Sequence, residues 1–133
     1  MKKLLFLSTI MLVILGPTGC SKDKVNIRNL IIGKWDYVKL QTLQSGVITD
    51  TDKSGTYEFF SDGTVHIIDG NTDLNAHWIL SSDNSTITFD FAPTIACKIF
   101  QIDKSNFIYY ADAVAFGNTI RTTFYLTKQN TAP

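Results

Sequence analysis

The sequence lacks the features that mark several functional classes of protein. Its 133 residues carry 12 basic and 12 acidic side chains, without the clustered basic surface that a nucleic-acid-binding protein needs. No glycine-rich phosphate loop is present, and apart from one short segment no stretch shows a helical period. We therefore expect one domain of β-strands, which at this length can bury a substantial core, and no nucleic acid among its partners.

The sequence also lacks a readable set of catalytic residues. The serines lie mainly in predicted turns, where their hydroxyls favour local hydrogen bonds. The acidic residues are scattered, and many occupy turn positions such as Asp62, Asp73 and Asp103. Because pairing two of them as acid and base would be arbitrary, we expect neither an enzyme nor a cofactor.

The longest apolar run is short and stands at the N-terminus. Lys2 and Lys3 precede an apolar stretch over 4–15, which is too short to span a bilayer and is typical of a secretion signal. The small residues before Cys20 resemble the lipobox of bacterial lipoproteins, in which the cysteine is lipidated and becomes the mature N-terminus. This predicts a lipoprotein signal peptide over 1–19. The alternative is an ordinary signal peptide cut nearby, which would leave a free thiol.

Lipidation of Cys20 would hold the domain on a membrane surface without crossing it, since each buried acyl methylene contributes about 0.8 kcal/mol. We therefore expect a tether over 20–29 and a location in the cell envelope, with the outer membrane favoured. Removal of the signal peptide takes away Lys2 and Lys3 and leaves 10 basic against 12 acidic side chains. With Cys20 lipidated, Cys97 is the only thiol left, so no intramolecular disulfide can form. Its apolar neighbours predict a small buried hydrophobe rather than a reactive group.

Asp62-Gly63 stands between two apolar runs and predicts a β-hairpin. A two-residue turn would split the apolar residues between both faces. A three-residue loop instead pairs Phe59 with Val65 and Tyr57 with Ile67. Because side chains alternate between faces, only the second register collects these four residues on one side, and we predict that register.

The following turns extend the same apolar face. Closure about 70–73 would pair Ile67 with Ala76 and Val65 with Trp78. A loop over 82–85 would set Trp78 against Phe89. Four consecutive strands then share one apolar face, which predicts a meander wrapped around a core.

The remaining segments complete an all-β fold. A helical turn over 27–32, capped by Asn26, is expected to come first. Strands are expected over 34–43, 56–60, 64–69, 74–81, 86–91, 94–102, 107–111 and 119–128, with loops over 46–55 and 113–118. The turn at 103–106 would set Ile102 against Phe107 and Phe100 against Tyr109, but both faces of 95–102 and 107–111 are apolar and the inner one stays open. Eight strands joined by short turns predict an antiparallel up-and-down barrel with the last strand beside the first.

Several of these segments resemble the lipocalin-like domains of Gram-negative bacterial lipoproteins. The matching residues are Leu30–Trp35, a short turn leading into Gly-x-Trp, then Thr56–Phe59 with Asp62–Thr64, and Trp78–Leu80. The resemblance implies a lipocalin-like barrel over 30–128 followed by a tail over 129–133. In lipocalins the tryptophan of this motif plugs the closed end of the barrel, often beneath an arginine of the last strand. Here an antiparallel last strand would bring Lys128, rather than Arg121, near Trp35.

The inward-facing aromatic residues have two interpretations. They can line a ligand pocket, since such sites are mostly apolar and barrel mouths are favoured places, or they can fill a narrow eight-stranded interior. The residues concerned are Trp35, Tyr37, Tyr57, Phe59, Trp78, Phe89 and Phe124. Thr122, inward with Ile120 and Leu126 on the last strand, is a polar group that a ligand could use. We therefore expect a lipid-anchored, non-catalytic protein that binds a small apolar or amphipathic ligand. The alternative is an accessory lipoprotein with a filled core that contacts another envelope protein.

One row of polar residues could bind a metal. In the predicted register Glu58 lies opposite His66, and His66 lies opposite His77, on the outer face. Two imidazoles and a carboxylate are ligands that zinc accepts. A solvated polar stripe on the outside of the barrel is the simpler interpretation, and we predict no metal site.

Overall fold

The computed structural model describes residues 25–130, so the predicted signal peptide, Cys20 and the end of the predicted tail lie outside the described residues. The elements in chain order are α1 (Ile27–Ile31), β1 (Gly33–Gln44), β2 (Val47–Phe59), β3 (Thr64–Asp69), β4 (Thr72–Leu80), β5 (Thr86–Asp90), β6 (Thr94–Ile102), β7 (Asn106–Ala115) and β8 (Asn118–Lys128). Each strand is antiparallel to the next, and β8 pairs with β1 to close the barrel. The predicted all-β, up-and-down eight-stranded barrel is confirmed. Within 25–130, no helix is both long and apolar enough to cross a membrane.

The short helix α1 closes one end of the barrel. Asn26 is its N-cap, and the Asn26 side chain accepts a hydrogen bond of 3.3 Å from the backbone N–H of Asn29, as expected for a helix start. Ile31 faces the barrel and is fully buried. The predicted helical turn is therefore confirmed, and it covers the closed end of the barrel.

The predicted hairpin register is also confirmed. Phe59 pairs with Val65 and Tyr57 with Ile67. The Asp62 carboxylate accepts hydrogen bonds from the backbone N–H and the hydroxyl of Thr64, at 3.0 and 2.7 Å, which fixes the three-residue loop.

The register predicted for the next turn is wrong by two residues. The turn contains only Gly70 and Asn71, so Val65 pairs with Ala76 and Ile67 with Leu74. A shift of two keeps every side chain on its face, so the inward set is unchanged and only the partners differ. The predicted pairing of Trp78 with Phe89 is confirmed.

The loops predicted over 46–55 and 113–118 are wrong, because β2 begins at Val47 and β7 continues to Ala115. Ser45 and Gly46 have φ of 51° and 79°, the left-handed values that a two-residue hairpin turn requires. The four long strands β7, β8, β1 and β2 are neighbours. One wall of the barrel is therefore taller than the wall formed by the short strands β3 and β5.

The inner face of β6 and β7 is settled by an irregularity in their pairing. Ile102 pairs with Phe107 as predicted, but Ile99, not Phe100, pairs with Tyr109, because the register shifts between Ile99 and Gln101. Phe107 and Tyr109 are buried, whereas Phe100 is 70% exposed. Phe100 is the extra residue of a β-bulge in β6 and points to solvent. The prediction that Phe100 opposes Tyr109 is wrong.

Candidate functional site

Large buried side chains fill the half of the barrel interior next to α1, which we call the filled or closed half. Its large side chains are at most 1% exposed; they are Trp35, Phe59, Val65, Trp78, Ile87, Phe89, Phe107 and Leu126. The Phe59 ring centroid lies 5.6 Å from that of Trp78 and 5.9 Å from that of Phe107, within the range of favourable aromatic contacts. This half of the barrel is a packed core.

Four aromatic rings form a layer above that core. The centroids of Tyr37 and Tyr57 are 5.5 Å apart, those of Tyr109 and Phe124 are 5.0 Å apart, and Phe124 lies 6.1 Å from Tyr37. The three tyrosines are at most 7% exposed. We call Tyr37, Tyr57, Tyr109 and Phe124 the aromatic floor.

Beyond the aromatic floor, the inward-facing residues are reached by solvent. Leu74 is 37% and Ile95 is 39% exposed, although they pair with the buried residues Ile67 and Phe89 and share their inward face. Leu40 and Thr122 are intermediate in exposure. We call this solvent-exposed part of the interior, from the mouth down to the aromatic floor, the open cup.

Small and polar side chains line the taller wall of this cup. Thr42 pairs with both Thr49 and Thr122, and Thr122 pairs with Ala111. These four residues form one inward row across β2, β1, β8 and β7. None of these four side chains is bulky.

Burial keeps the polar groups of the aromatic floor neutral. It raises the pKa of Tyr57 to about 12 and that of Tyr109 well above its ordinary value. Burial likewise raises the pKa of Tyr37, and the neighbouring Tyr57 raises it further. Cys97 is buried as predicted, and burial raises the pKa of its thiol to about 11. Near neutral pH the floor therefore offers neutral hydroxyls and ring faces.

Two opposite charges face the inside of the cup. Lys53 and Asp69 continue the inward alternation of Tyr57 and Ile67, and their Nζ and Oδ2 atoms are 3.4 Å apart. The Lys53 Nζ also lies 5.6 Å from the centroid of the Tyr37 ring. Their side chains are 27% and 33% exposed, so the pair sits at the boundary between water and the aromatic floor.

A glycine makes this arrangement possible. A Cβ atom at Gly55 would lie 2.4 Å from the carbonyl oxygen of Ile68 and 3.1 Å from the Cα of Asp69. Only a residue without a side chain allows β2 and β3 to approach this closely. The close approach carries Asp69 toward the Lys53 ammonium.

The structure separates the residues predicted for the pocket or core into two groups. Tyr37, Tyr57, Phe124 and Thr122 border the open cup. The other predicted residues lie in the filled half; they are Trp35, Phe59, Trp78 and Phe89. The second group fills the core, whereas a ligand-lining role for the first group stays a prediction.

Sequence reasoning missed Lys53, Asp69 and Tyr109. Lys53 fell in a predicted loop, and the inner face of the strand carrying Tyr109 stayed open. The sequence does offer a signal for Lys53. Alternate residues of a strand share a face, so the inward face of Phe59 and Tyr57 continues through Gly55 to Lys53.

The proposed row of metal ligands is not assembled as predicted. Glu58 does pair with His66, but His66 faces Asn75, and His77 faces Thr64. The His66 Nε2 lies 2.6 Å from the Asp73 Oδ1. In the part of the chain that the structure describes, no group of three or more His, Cys, Asp or Glu residues is arranged to hold a metal ion.

Similar folds are found among solved structures. Bovine odorant-binding protein in complex with its natural ligand matches with a TM-score of 0.52 and 17% identity, over 82% of this chain and 77% of that one. The siderocalin Ex-FABP matches with a TM-score of 0.52 and 16% identity, over 78% of each chain. The chain has a lipocalin-like fold. No protein-family model matches it, and no curated protein does.

The closed end of this lipocalin-like barrel follows the Gly-x-Trp expectation. The Trp35 indole N–H donates a 2.7 Å hydrogen bond to the carbonyl of Ile31. Lys128 pairs with Trp35 as predicted, and its Nζ lies 4.4 Å from the centroid of the indole ring. The ammonium also donates hydrogen bonds to the carbonyls of Leu30 and Ile32, at 3.1 and 2.8 Å. Lys128 thereby links β8 to the helix that closes the barrel.

Proposed function

We propose that this chain is a non-catalytic protein that binds a small apolar or amphipathic ligand in the mouth of its barrel. The observation that carries the proposal is the open cup, where inward apolar residues such as Leu74 and Ile95 remain more than a third exposed. Apolar side chains that face a concave interior and still meet water gain free energy when a ligand covers them.

The filled half limits the size of this ligand. Because the packed core and the aromatic floor already occupy the lower interior, a ligand has only the upper cup and the inward row of threonines to contact. Solved relatives in fold include a complex of bovine odorant-binding protein with undecanal. We infer that the cup of this chain takes a ligand of the same class, apolar with one polar end.

The same proposal includes an anchor at Cys20 in the cell envelope, within a lipoprotein family of the kind that the sequence resembles. The lipobox-like residues before Cys20 support it. Six residues lie between Cys20 and Ile27, and an extended chain spans at most about 3.5 Å per residue. Because α1 closes the barrel, an anchor attached before it would hold the closed end near the membrane and direct the mouth away.

Ligand binding can be tested by filling the cup. The chain from Ser21 contains every residue of the closed barrel, and native mass spectrometry after purification from its own host envelope would reveal a retained small molecule. Thr122→Trp places a large ring inside the cup and should abolish uptake of a fluorescent apolar probe such as 1-aminoanthracene. Thr123→Trp puts the same ring on the outer face and should leave uptake unchanged. Equal uptake by both variants would contradict the proposal.

A second candidate function rests on the tips of the long hairpins. Val47, Ile48, Val114 and Phe116 are 60% to 102% exposed, and exposed apolar groups of this kind mark contact surfaces. An accessory lipoprotein could use them to bind another envelope protein. Chemical cross-linking in intact cells should then trap one defined partner with the native chain, and Phe116→Ser should reduce the yield several-fold. A cross-linking pattern that the variant does not change would reject this function.

A further inference from the structure

We propose that the mouth of the barrel selects a cationic head group, and that an alkyl ammonium ligand takes the place that the Lys53 ammonium now occupies. This inference rests on the proposed function, because it names the chemical class of the ligand for the same cup. Three observations support it: the position of Lys53, the charge of the rim and the nature of the aromatic floor.

The side chain of Lys53 is itself a short alkyl ammonium held inside the cup. Its Nζ lies 5.6 Å from the centroid of the Tyr37 ring and 3.4 Å from the Asp69 carboxylate. A ring face with a carboxylate beside it is a favourable environment for an ammonium group. The position therefore fits a cation, and a residue on a flexible stem fills it.

Lys53 can leave this position without being buried elsewhere. Its side chain is already 27% exposed, and a lysine stem is long enough to turn its ammonium into water. A ligand ammonium would then pair with Asp69 and cover the Tyr37 ring. Its alkyl chain would lie against Leu40, Leu74 and the other apolar residues of the cup.

The rim of the mouth repels anions. We define the rim as the residues within four positions of the four mouth turns, which are 45–46, 70–71, 91–93 and 116–117. It contains no lysine and five aspartates, namely Asp50, Asp69, Asp73, Asp90 and Asp112, against a single arginine, Arg121. Arg121 and Asp112 offset each other, because the Nε and one terminal nitrogen of the arginine each lie 2.7 Å from an Asp112 oxygen, and Asp69 is paired with Lys53. Asp50, Asp73 and Asp90 therefore carry the remaining negative charge of the rim. A carboxylate ligand would approach through a negative potential, whereas an ammonium would be attracted.

The aromatic floor adds no charge that would reverse this preference. Tyr37, Tyr57 and Tyr109 are neutral, and the faces of their rings attract cations rather than anions. Within residues 25–130, Lys53 is the one basic side chain that faces the cup. Once a ligand displaces it, Asp69 is left as the charged partner.

Three probes of equal chain length test this inference: dodecylammonium, dodecanoate and dodecanol, each added below its aggregation limit to the chain from Ser21 and followed by isothermal titration calorimetry. We expect dodecylammonium to bind at least about tenfold more tightly than dodecanoate, with a preference that decreases as salt screens the rim. Equal or tighter binding of dodecanoate, with dodecanol bound, would overturn the inference and leave the proposed function standing. Failure of all three probes to bind would overturn both.

Two substitutions locate the effect. Asp69→Asn should weaken dodecylammonium binding about tenfold and leave dodecanol unchanged, because only the charged partner is lost. Lys53→Met should strengthen dodecylammonium binding several-fold, because the position is vacated while the aliphatic stem is kept. The matched controls Asp52→Asn and Lys39→Met remove the same charges from a cross-strand pair on the outer face, outside the rim, and should change neither affinity by more than about twofold. If Asp69→Asn instead creates tight dodecanoate binding while dodecylammonium is unaffected, Lys53 is an anion receptor and the proposal is wrong.

Discussion

Replacing Lys128 by methionine tests whether the ammonium at the closed end stabilises the fold. The native Nζ donates two hydrogen bonds to carbonyls around the end of α1 and lies over the Trp35 ring. A hydrogen bond that involves a charged group contributes about 1.5–3 kcal/mol, and a cation–π contact about 0.5–1 kcal/mol. Burial opposes these gains, since desolvation lowers the pKa of Lys128. Methionine would keep much of the stem packing but leave two carbonyls without their donor, so we expect a net loss of about 2 kcal/mol.

Equilibrium unfolding in urea measures this loss. For a domain of this size the m-value is about 1.5 kcal/mol/M, so the midpoint should fall by about 1.3 M without a change in slope. Lys128→Arg should restore part of the stability, because it keeps the charge and the donors. Lys34→Met removes an exposed lysine from the neighbouring strand and should cost no more than about 0.5 kcal/mol. If Lys128→Met and Lys34→Met unfold at the same urea concentration, the ammonium contributes nothing and the reasoning is refuted.

Other predictions follow from the same structure. Gly55→Ala should destabilise the domain by about 2 kcal/mol or more, because the added Cβ would lie 2.4 Å from the Ile68 carbonyl oxygen. Ser54→Ala is the matched control, and equal melting temperatures of the two variants would contradict the close approach of β2 and β3. Cys97 should resist iodoacetamide in the native state and react once urea unfolds the chain, since it is buried and its pKa is raised to about 11; rapid alkylation of the native protein, detected by mass, would disprove this. The pKa of Tyr57, Tyr37 and Tyr109 is raised in the folded state, so their contribution to stability is complete below the unfolded value of about 10 and decreases as pH rises above it. Absorbance titration near 295 nm should accordingly show that three of the five tyrosines ionise only above pH 11 or on unfolding. Ionisation of all five tyrosines near pH 10 would contradict this prediction.

The strand register could be predicted wherever a turn motif and a one-sided apolar pattern agree. Asp62-Gly63 with Tyr57, Phe59, Val65 and Ile67 is such a case, because only one register gathers these residues on one face. The stretch 46–55 could not be assigned in the same way. Residues 47–52 are exposed on both faces, so the alternation that reveals a half-buried strand is absent from most of this stretch.

The site was harder to predict than the fold for a related reason. A pocket requires inward residues that remain uncovered, and sequence alternation tells which side a residue faces but not how deep the core reaches. Trp35 and Tyr57 therefore look alike in the sequence, although one lies in the packed half and the other borders the open cup. Lys53 and Asp69 meet through a local close approach at Gly55, which only the paired strands make visible.

The division of the interior separates stability from binding. The closed half buries Trp35, Phe59, Trp78 and Phe107 behind a helix that Lys128 ties to the last strand, so this half can hold the barrel together without help from the mouth. The upper cup contributes few buried contacts, and its residues can therefore change size or charge at little cost in stability. Substitutions in the cup such as Thr122→Trp and Asp69→Asn should then alter ligand binding without unfolding the domain. If the cup binds a ligand as proposed, the preference for that ligand would be set by residues that the fold does not need, and it has to be measured at the mouth.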